Sequence, residues 1–250
     1  MSLAGLEEQI ESARSILRAA RRLVAFSGAG ISTPSGIPDF RSKGSGLWER
    51  DDPLQTASLT TFRTNPTRFW NWKRPLMLQA WNAQPNPAHR ALARMEADGL
   101  LKTVITQNID GLHQRAGSRH VLELHGSIET MTCPLCRRHF KSIDFKPVLE
   151  EGGIPLCPAG HAVLKPDVVL FEETLPPAVW RQAEEEAGLA DVVLVAGSSL
   201  SVYPAAYLPE AAAARGSRLI IANFTPTHLD GLAAVLLPGD VAEILPALLD

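Results

Sequence analysis

The sequence predicts an α/β fold, a parallel sheet with helices on both faces and a smaller lobe inserted into it. Short apolar runs of strand length recur along the chain, helical stretches separate them, and two polar segments interrupt the alternation. Strands that alternate with helices form parallel sheets covered on both faces, because each crossover lays a helix against the sheet. A chain of 250 residues, 45% hydrophobic and 20% charged, can bury a full core and sits near the upper size of one domain. One large domain with a smaller inserted unit follows.

In chain order, Leu6, Ile10, Ala13, Ile16, Leu17 and Ala20 recur at helical spacing, with Arg21 and Arg22 where a helix C-terminus favours cations. Buried strands are expected at 23–26, 103–105, 121–124, 168–171, 192–196 and 219–222. Helices are expected at 88–98, 178–188 and 205–215. Residues 36–85 are rich in Ser, Thr, Pro and Trp, and residues 131–164 hold all three cysteines with no long apolar run. These two segments are expected to form the smaller lobe, and 1–35, 86–130 and 165–250 the sheet domain. A ligand cleft belongs at their boundary.

The net charge of −3 lacks the cationic excess that phosphate neutralisation requires, so no nucleic-acid partner is expected. No apolar run approaches the roughly 18 residues of a membrane span, and the N-terminal stretch has no apolar core that would serve as a signal peptide. Cys133 and Cys136 form a Cys-Pro-Leu-Cys pair and Cys157 makes the total odd, a pattern of metal or redox chemistry rather than of disulfides. The expected compartment is the cytoplasm, with no membrane partner.

Polar clusters fall at the carboxyl ends of the predicted strands. SGAGIS at 27–32 follows the first, TQNID at 106–110 the second, His125 and Gly126 the third, GSS at 197–199 the fifth, and Asn223 the last. Open parallel sheets bind ligands outside those ends, so the clusters describe one site. Gly28, Ala29 and Gly30 fit a turn whose N–H groups approach a diphosphate at a helix N-terminus, or a turn that needs glycine only for positive φ. Thr33 stands where the dehydrogenase fingerprint has a glycine, which points to nucleotide binding of another kind. Gln107, Asn108 and Asp110 put two amides and a carboxylate within four residues, with an Asx-rich helix cap as the alternative. His125, one of seven histidines, is singled out by its strand-end place beside this cluster.

Taken in order, GAGIS at 28–32, SGIPDFR at 35–41, TQNIDGLH at 106–113, LHG at 124–126, CPLC at 133–136, KPDVVLF at 165–171, GSSLSVYPA at 197–205 and GDVAEILP at 239–246 resemble the sirtuins. The resemblance runs from about Val24 to Pro246. It implies a Rossmann-like parallel sheet domain and a small lobe containing a zinc-knuckle-like module. It also implies an NAD-dependent protein lysine deacetylase, a transferase that passes acetyl from protein lysines to ADP-ribose and releases nicotinamide, with NAD consumed as co-substrate. By the same resemblance Gly28, Ala29, Gly30 and Thr33 meet the phosphates and ribose, and Asp39, Phe40 and Arg41 lie on a cofactor loop. Gln107, Asn108, Ile109 and Asp110 hold the ribose and nicotinamide, and Gly197, Ser198, Ser199, Asn223 and Val241 the adenosine half.

The implied chemistry is attack of the acyl oxygen on C1′ of the nicotinamide ribose, with Asn108 and Asp110 polarising the departing nicotinamide. His125 then takes a proton from a ribose hydroxyl, general-base help worth roughly 10²–10⁴-fold. Val169, Phe171 and Phe40 are implied to form the acyl tunnel. Residues 171–174 with Ser201, Val202 and Tyr203 are implied to hold the peptide as an added strand. The alternative for Val169 and Phe171 is plain strand core.

The chain departs from the family pattern in several places. Cys133, Cys136 and Cys157 supply three zinc ligands, Gly160 stands where the fourth cysteine is due, and His161 one residue later gives a spacing acceptable for tetrahedral zinc. Structural zinc with His161 as fourth ligand is expected, against a metal-free knuckle of three buried thiols. Glu172 replaces the usual glycine after the phenylalanine, and Lys165 the usual arginine. Sirtuins that remove acidic acyl groups carry a Tyr-x-x-Arg pair, and alignment from Asn65 and Pro66 places Lys73 and Leu76 there. Without an arginine to grip a distal carboxylate, a neutral acyl group such as acetyl is expected and desuccinylation is not. The tryptophans, mostly between Trp48 and Trp81, are expected to pack the small lobe. An ADP-ribosyltransferase and a non-catalytic nucleotide or ADP-ribose binding module are the rival readings.

Overall fold

The computed structural model describes residues 3–41, 44, 46–160 and 162–249. The first helix, α1 (Leu3–Arg18), buries Ala13, Ile16 and Leu17 against the sheet. It stops short of Arg21 and Arg22, whose backbone N–H groups donate to the Asp191 carboxylate at 2.8 and 2.9 Å. They therefore tie the next strand to its neighbour and do not cap a helix dipole.

The main sheet holds β1 (Leu23–Ser27), β2 (Leu101–Thr106) and β3 (Val121–Glu123). A smaller sheet follows, made of β4 (Gly126–Thr132), β5 (His139–Lys141) and β6 (Lys165–Val168). The main sheet resumes with β7 (Val192–Ala196), β8 (Arg218–Asn223) and β9 (Ala233–Pro238). Its order is β3-β2-β1-β7-β8-β9, with every neighbouring pair parallel. β1 and β7 are buried along their whole length, which is why they read as unbroken apolar runs. The chain runs outward from β1 in one direction and outward from β7 in the other, so the order reverses between them. A crevice opens at such a switch point.

The smaller lobe takes α2 (Pro53–Thr56), α3 (Leu59–Thr64) and α4 (Pro66–Asn82), each opened by a side-chain cap from Asp52, Ser58 or Asn65. On the main sheet, α5 (Pro87–Ala97) joins α1 on one face, and α6 (Leu112–Ala116) follows β2. After α7 (Lys146–Glu150) of the smaller lobe, α8 (Pro177–Leu189) and α9 (Tyr207–Ala214) cover the opposite face. The last helix, α10 (Val241–Ala247), returns to the face of α1. Among the described residues no helix is long and apolar enough to cross a membrane.

One strand expectation needs correction. The apolar run at 168–171 is not a strand of the parallel sheet: β6 ends at Val168 and pairs antiparallel with β4 in the smaller sheet. Beyond it, Val169 donates its N–H to His125 O at 2.7 Å and Phe171 to Ala57 O at 3.0 Å, so the run lines the boundary between lobes. β9 has no counterpart in the sequence reading; as an edge strand it alternates between buried and open positions. The smaller sheet also draws on Gly126–Thr132, which the expected boundary at 131 divides, and on Lys165–Val168, which falls within the expected sheet domain.

Candidate active site

One cleft of about 1130 Å³ lies over the carboxyl ends of β1, β2 and β7 and under the smaller lobe. Its floor is made of backbones in close contact. Gly30 donates its N–H to Gly197 O at 2.8 Å, and a Cβ on Gly30 would lie 2.8 Å from that oxygen. Gly197 has φ of 60° and a Cβ there would overlap the backbone nitrogen of Ile31. Glycine is needed here because two strand ends touch, not because the first turn has positive φ: Gly28 has φ of −131°. Of the two readings of this turn, the one with a helix N-terminus meets only single 3₁₀ turns, Ala29–Ile31 and Thr33–Ser35. Gly28 and Gly30 spend their N–H groups on Ala196 and Gly197, while that of Ala29 has no partner among the described residues.

Around this floor the polar side chains form a connected network. The Asn108 amide donates from Nδ2 to Gly28 O and to Ser32 Oγ, both at 3.1 Å. A carbonyl can only accept, so the amide orientation is fixed and Oδ1 is left as an acceptor. Ser32 Oγ donates to Asp110 Oδ2 at 2.7 Å, and Asp110 Oδ1 accepts the Leu112 N–H at the start of α6. Burial raises the Asp110 pKa, against the pull of Leu112 and Ser32. Behind them, burial drives His89 to about 4 and His113 to about 3, so both rings are neutral at physiological pH. Gln107 Nε2 reaches Ser198 Oγ at 2.9 Å and couples the β2 end to the β7 end.

His125 stands at the junction between β3 and β4. Its Nδ1 lies 2.9 Å from Gln107 O. Since that oxygen can only accept, Nδ1 carries the ring proton and the neutral ring has its lone pair on Nε2. Burial lowers the His125 pKa, Arg41 adds to the lowering, and the Gln107 bond opposes it. Gly126 follows with φ of 72°, where a Cβ would overlap Asp167 O, so the turn that presents the ring requires glycine.

The opposing wall is aromatic. Trp48 stacks on Phe40 at 5.1 Å and on Trp72 at 5.7 Å, and meets Phe171 edge-on at 5.9 Å. Trp70 packs in the small-lobe core as expected of the tryptophans, but Trp48 and Trp72 line the cleft. Sequence reasoning missed that role, and gave none to Ser32; a tryptophan carries no sign of whether its ring faces a core or a ligand. Phe171 has its N–H and C=O paired with Ala57 and Leu59, so the pairing groups left for a peptide in this segment start at Glu172. Glu172 adopts φ of 76°, the conformation that favours glycine, and its carboxylate accepts the Thr60 N–H at 2.8 Å, which anchors it to α3.

All the residues expected to meet the dinucleotide and the acyl-lysine line this cleft except Ser201, which instead shares a 2.7 Å hydrogen bond with Ser199. Away from it, the sulfurs of Cys133, Cys136 and Cys157 lie within 4.8 Å of one another, and Cys136 Sγ is 3.7 Å from Cys157 Sγ. Tetrahedral zinc with bonds of about 2.3 Å separates its sulfurs by about 3.8 Å, so the three thiols fit three corners of such a site. His161 lies outside the described residues.

A family model described as the Sir2 family matches residues 28–204. The NAD-dependent protein deacylase 2 of Archaeoglobus fulgidus is 45% identical over 246 residues, covering 98% of this chain and 96% of that protein. The NAD-dependent protein deacetylase of Caldivirga maquilingensis is 47% identical over 236 residues, covering 94% of this chain and 90% of that protein. A solved Sir2 structure with a deacetylated p53 peptide and 3′-O-acetyl ADP-ribose has a TM-score of 0.91 at 37% identity, covering 96% of this chain and 97% of that one.

Proposed function

This chain belongs to the Sir2 family and is an NAD-dependent protein deacylase; from that premise we propose that it removes acetyl groups from protein lysine side chains, passing them to ADP-ribose with release of nicotinamide. The observation that carries the reading is the tautomer of His125: the bond to Gln107 O leaves Nε2 as a base inside the cleft that holds Asn108 and Asp110. When bound, NAD supplies the ADP-ribosyl group that accepts the acyl.

The residues divide the work. Ala29 with Thr33, Asp39 and Arg41 holds the phosphates and the near ribose, and Gly197, Ser198, Ser199, Asn223 and Val241 the adenosine. Gln107 and Ile109 flank the nicotinamide ribose. Asn108 offers its carbonyl oxygen and, with Asp110 fixed by Ser32, orients the nicotinamide amide. His125 takes a proton from a ribose hydroxyl at Nε2. Phe40, Val169 and Phe171 exclude water from the acyl arm, and Val202 and Tyr203 face residues 172–174 across the peptide.

Incubation with an acetyl-lysine peptide and NAD is expected to yield nicotinamide, free lysine peptide and O-acetyl-ADP-ribose in equal amounts. Deacetylation without NAD, or ADP-ribose transferred to the peptide instead, would overturn the reading.

The cysteine cluster holds structural zinc with His161 as fourth ligand on the same reading. Metal analysis is expected to give one zinc per chain and a lower content for His161→Ala; a zinc-free, folded wild-type protein would refute it. A cytoplasmic location goes with cysteines kept as metal ligands.

A further inference from the structure

The buried stripe of α4 contains one residue that does not match its neighbours. Phe69, Trp70, Met77 and Ala80 are buried on that stripe, and Lys73 lies among them at 5% exposure. No other lysine or arginine among the described residues is buried. Lys73 lines the cleft together with Met77, Ile128 and Val168, and its Nζ lies 6.0 Å from the ring centroid of Trp72, which stacks on Trp48 beside Phe171, a residue of the proposed acyl arm.

Its ammonium has no hydrogen bond or ion pair with any described residue. Trp72 offers only a ring whose centroid is 6.0 Å from Nζ. Glu173 is occupied by Lys165 at 2.8 Å, and Lys165 brings a second positive charge nearby. A cation taken out of water without a counter-charge is costly, and burial with Lys165 pushes the Lys73 pKa down to about 8. At neutral pH the charge therefore persists against its surroundings. A carboxylate entering this end of the cleft would supply the missing partner, and the strength of that pairing would be raised by the low-dielectric wall.

We propose that Lys73 is the counter-charge for a carboxylate at the distal end of the acyl chain, so that this enzyme also removes dicarboxylic acyl groups, such as succinyl, from lysine. The proposal rests on the deacylase reading. It departs from the expectation drawn from the missing arginine: a lysine supplies the charge as a point, without the bidentate fork.

The test compares one peptide carrying acetyl-lysine, succinyl-lysine or its neutral isostere 4-methylpentanoyl-lysine, with NAD, at pH 7. Wild type is expected to process the succinyl peptide with kcat/KM above that of the isostere. In Lys73→Met and Lys73→Gln the succinyl-to-isostere ratio is expected to fall tenfold or more, and in Lys73→Arg to be kept. An independent reading uses wild type alone: the succinyl peptide should compete with the acetyl peptide at a lower concentration than the isostere does. A wild type that deacetylates but ignores the succinyl peptide both as substrate and as competitor overturns the proposal, as does a ratio unchanged in the neutral variants. Loss of all three activities in wild type would instead strike the deacylase reading.

Discussion

On the floor of the cleft, Gln107, Asn108, Asp110 and His125 each have a partner within 3.1 Å, and backbones as close as Gly30 and Gly197 leave no freedom to rearrange. On the wall, Phe40, Trp48, Trp72 and Phe171 meet through their rings, with one backbone bond from the Trp48 N–H to Phe40 O at 3.0 Å, and Lys73 has no polar partner among the described residues. The floor is fixed before any ligand arrives. The wall is apolar and electrostatically incomplete. On the proposed function, the common chemistry of NAD cleavage and proton transfer belongs to the floor, where geometry must be preset. On the same proposal the choice of acyl group falls to the wall, where contacts are made with whatever chain enters.

The largest expected effect lies on the floor. His125→Ala should lower kcat for deacylation by about 10²–10⁴-fold while the far-ultraviolet circular dichroism stays that of wild type. Because the base is the neutral ring and its pKa is lowered, the rate should be flat from pH 8 down through the ordinary imidazole range near 6.5 and decline only below it. A variant that keeps the wild-type rate would remove His125 from the mechanism, and a decline already centred above 6.5 would contradict the buried neutral ring.

The contrast between fixed floor and soft wall sharpens with a second pair of variants. Gly197→Ala must strain a left-handed residue and push into Ile31, and should cost about 1–3 kcal/mol of stability by chemical denaturation. Trp48→Ala removes ring contacts worth about 0.5–1.5 kcal/mol each, but from a half-buried residue. Its effect should appear mainly as a severalfold rise in KM for the acyl-peptide. If Trp48→Ala were the more destabilising of the two and left KM untouched, the division between floor and wall would fail.

Much of this was legible without coordinates. The strands at 23–26 and 192–196 announced themselves because strands buried on both faces must be apolar throughout, and the polar clusters pointed to a site because several of them fell at one sheet edge. The strand at 168–171 misled because apolar residues that line a cleft read like those that fill a core. Glu172 departs from the glycine of the family pattern, and the long-range bond from Thr60 shows how a glutamate is accommodated at a φ of 76°.

The sequence by itself determined the α/β class, the collection of polar motifs at one sheet edge and the Cys-Pro-Leu-Cys pair, because these depend on periodicity and local residue chemistry. Only the tertiary structure decided that Nδ1 of His125 bears the proton, that Gly30 and Gly197 are mutually required, and that Lys73 lines the cleft with no polar partner among the described residues. Each of these depends on which groups from distant segments meet, and a one-dimensional pattern does not carry that information.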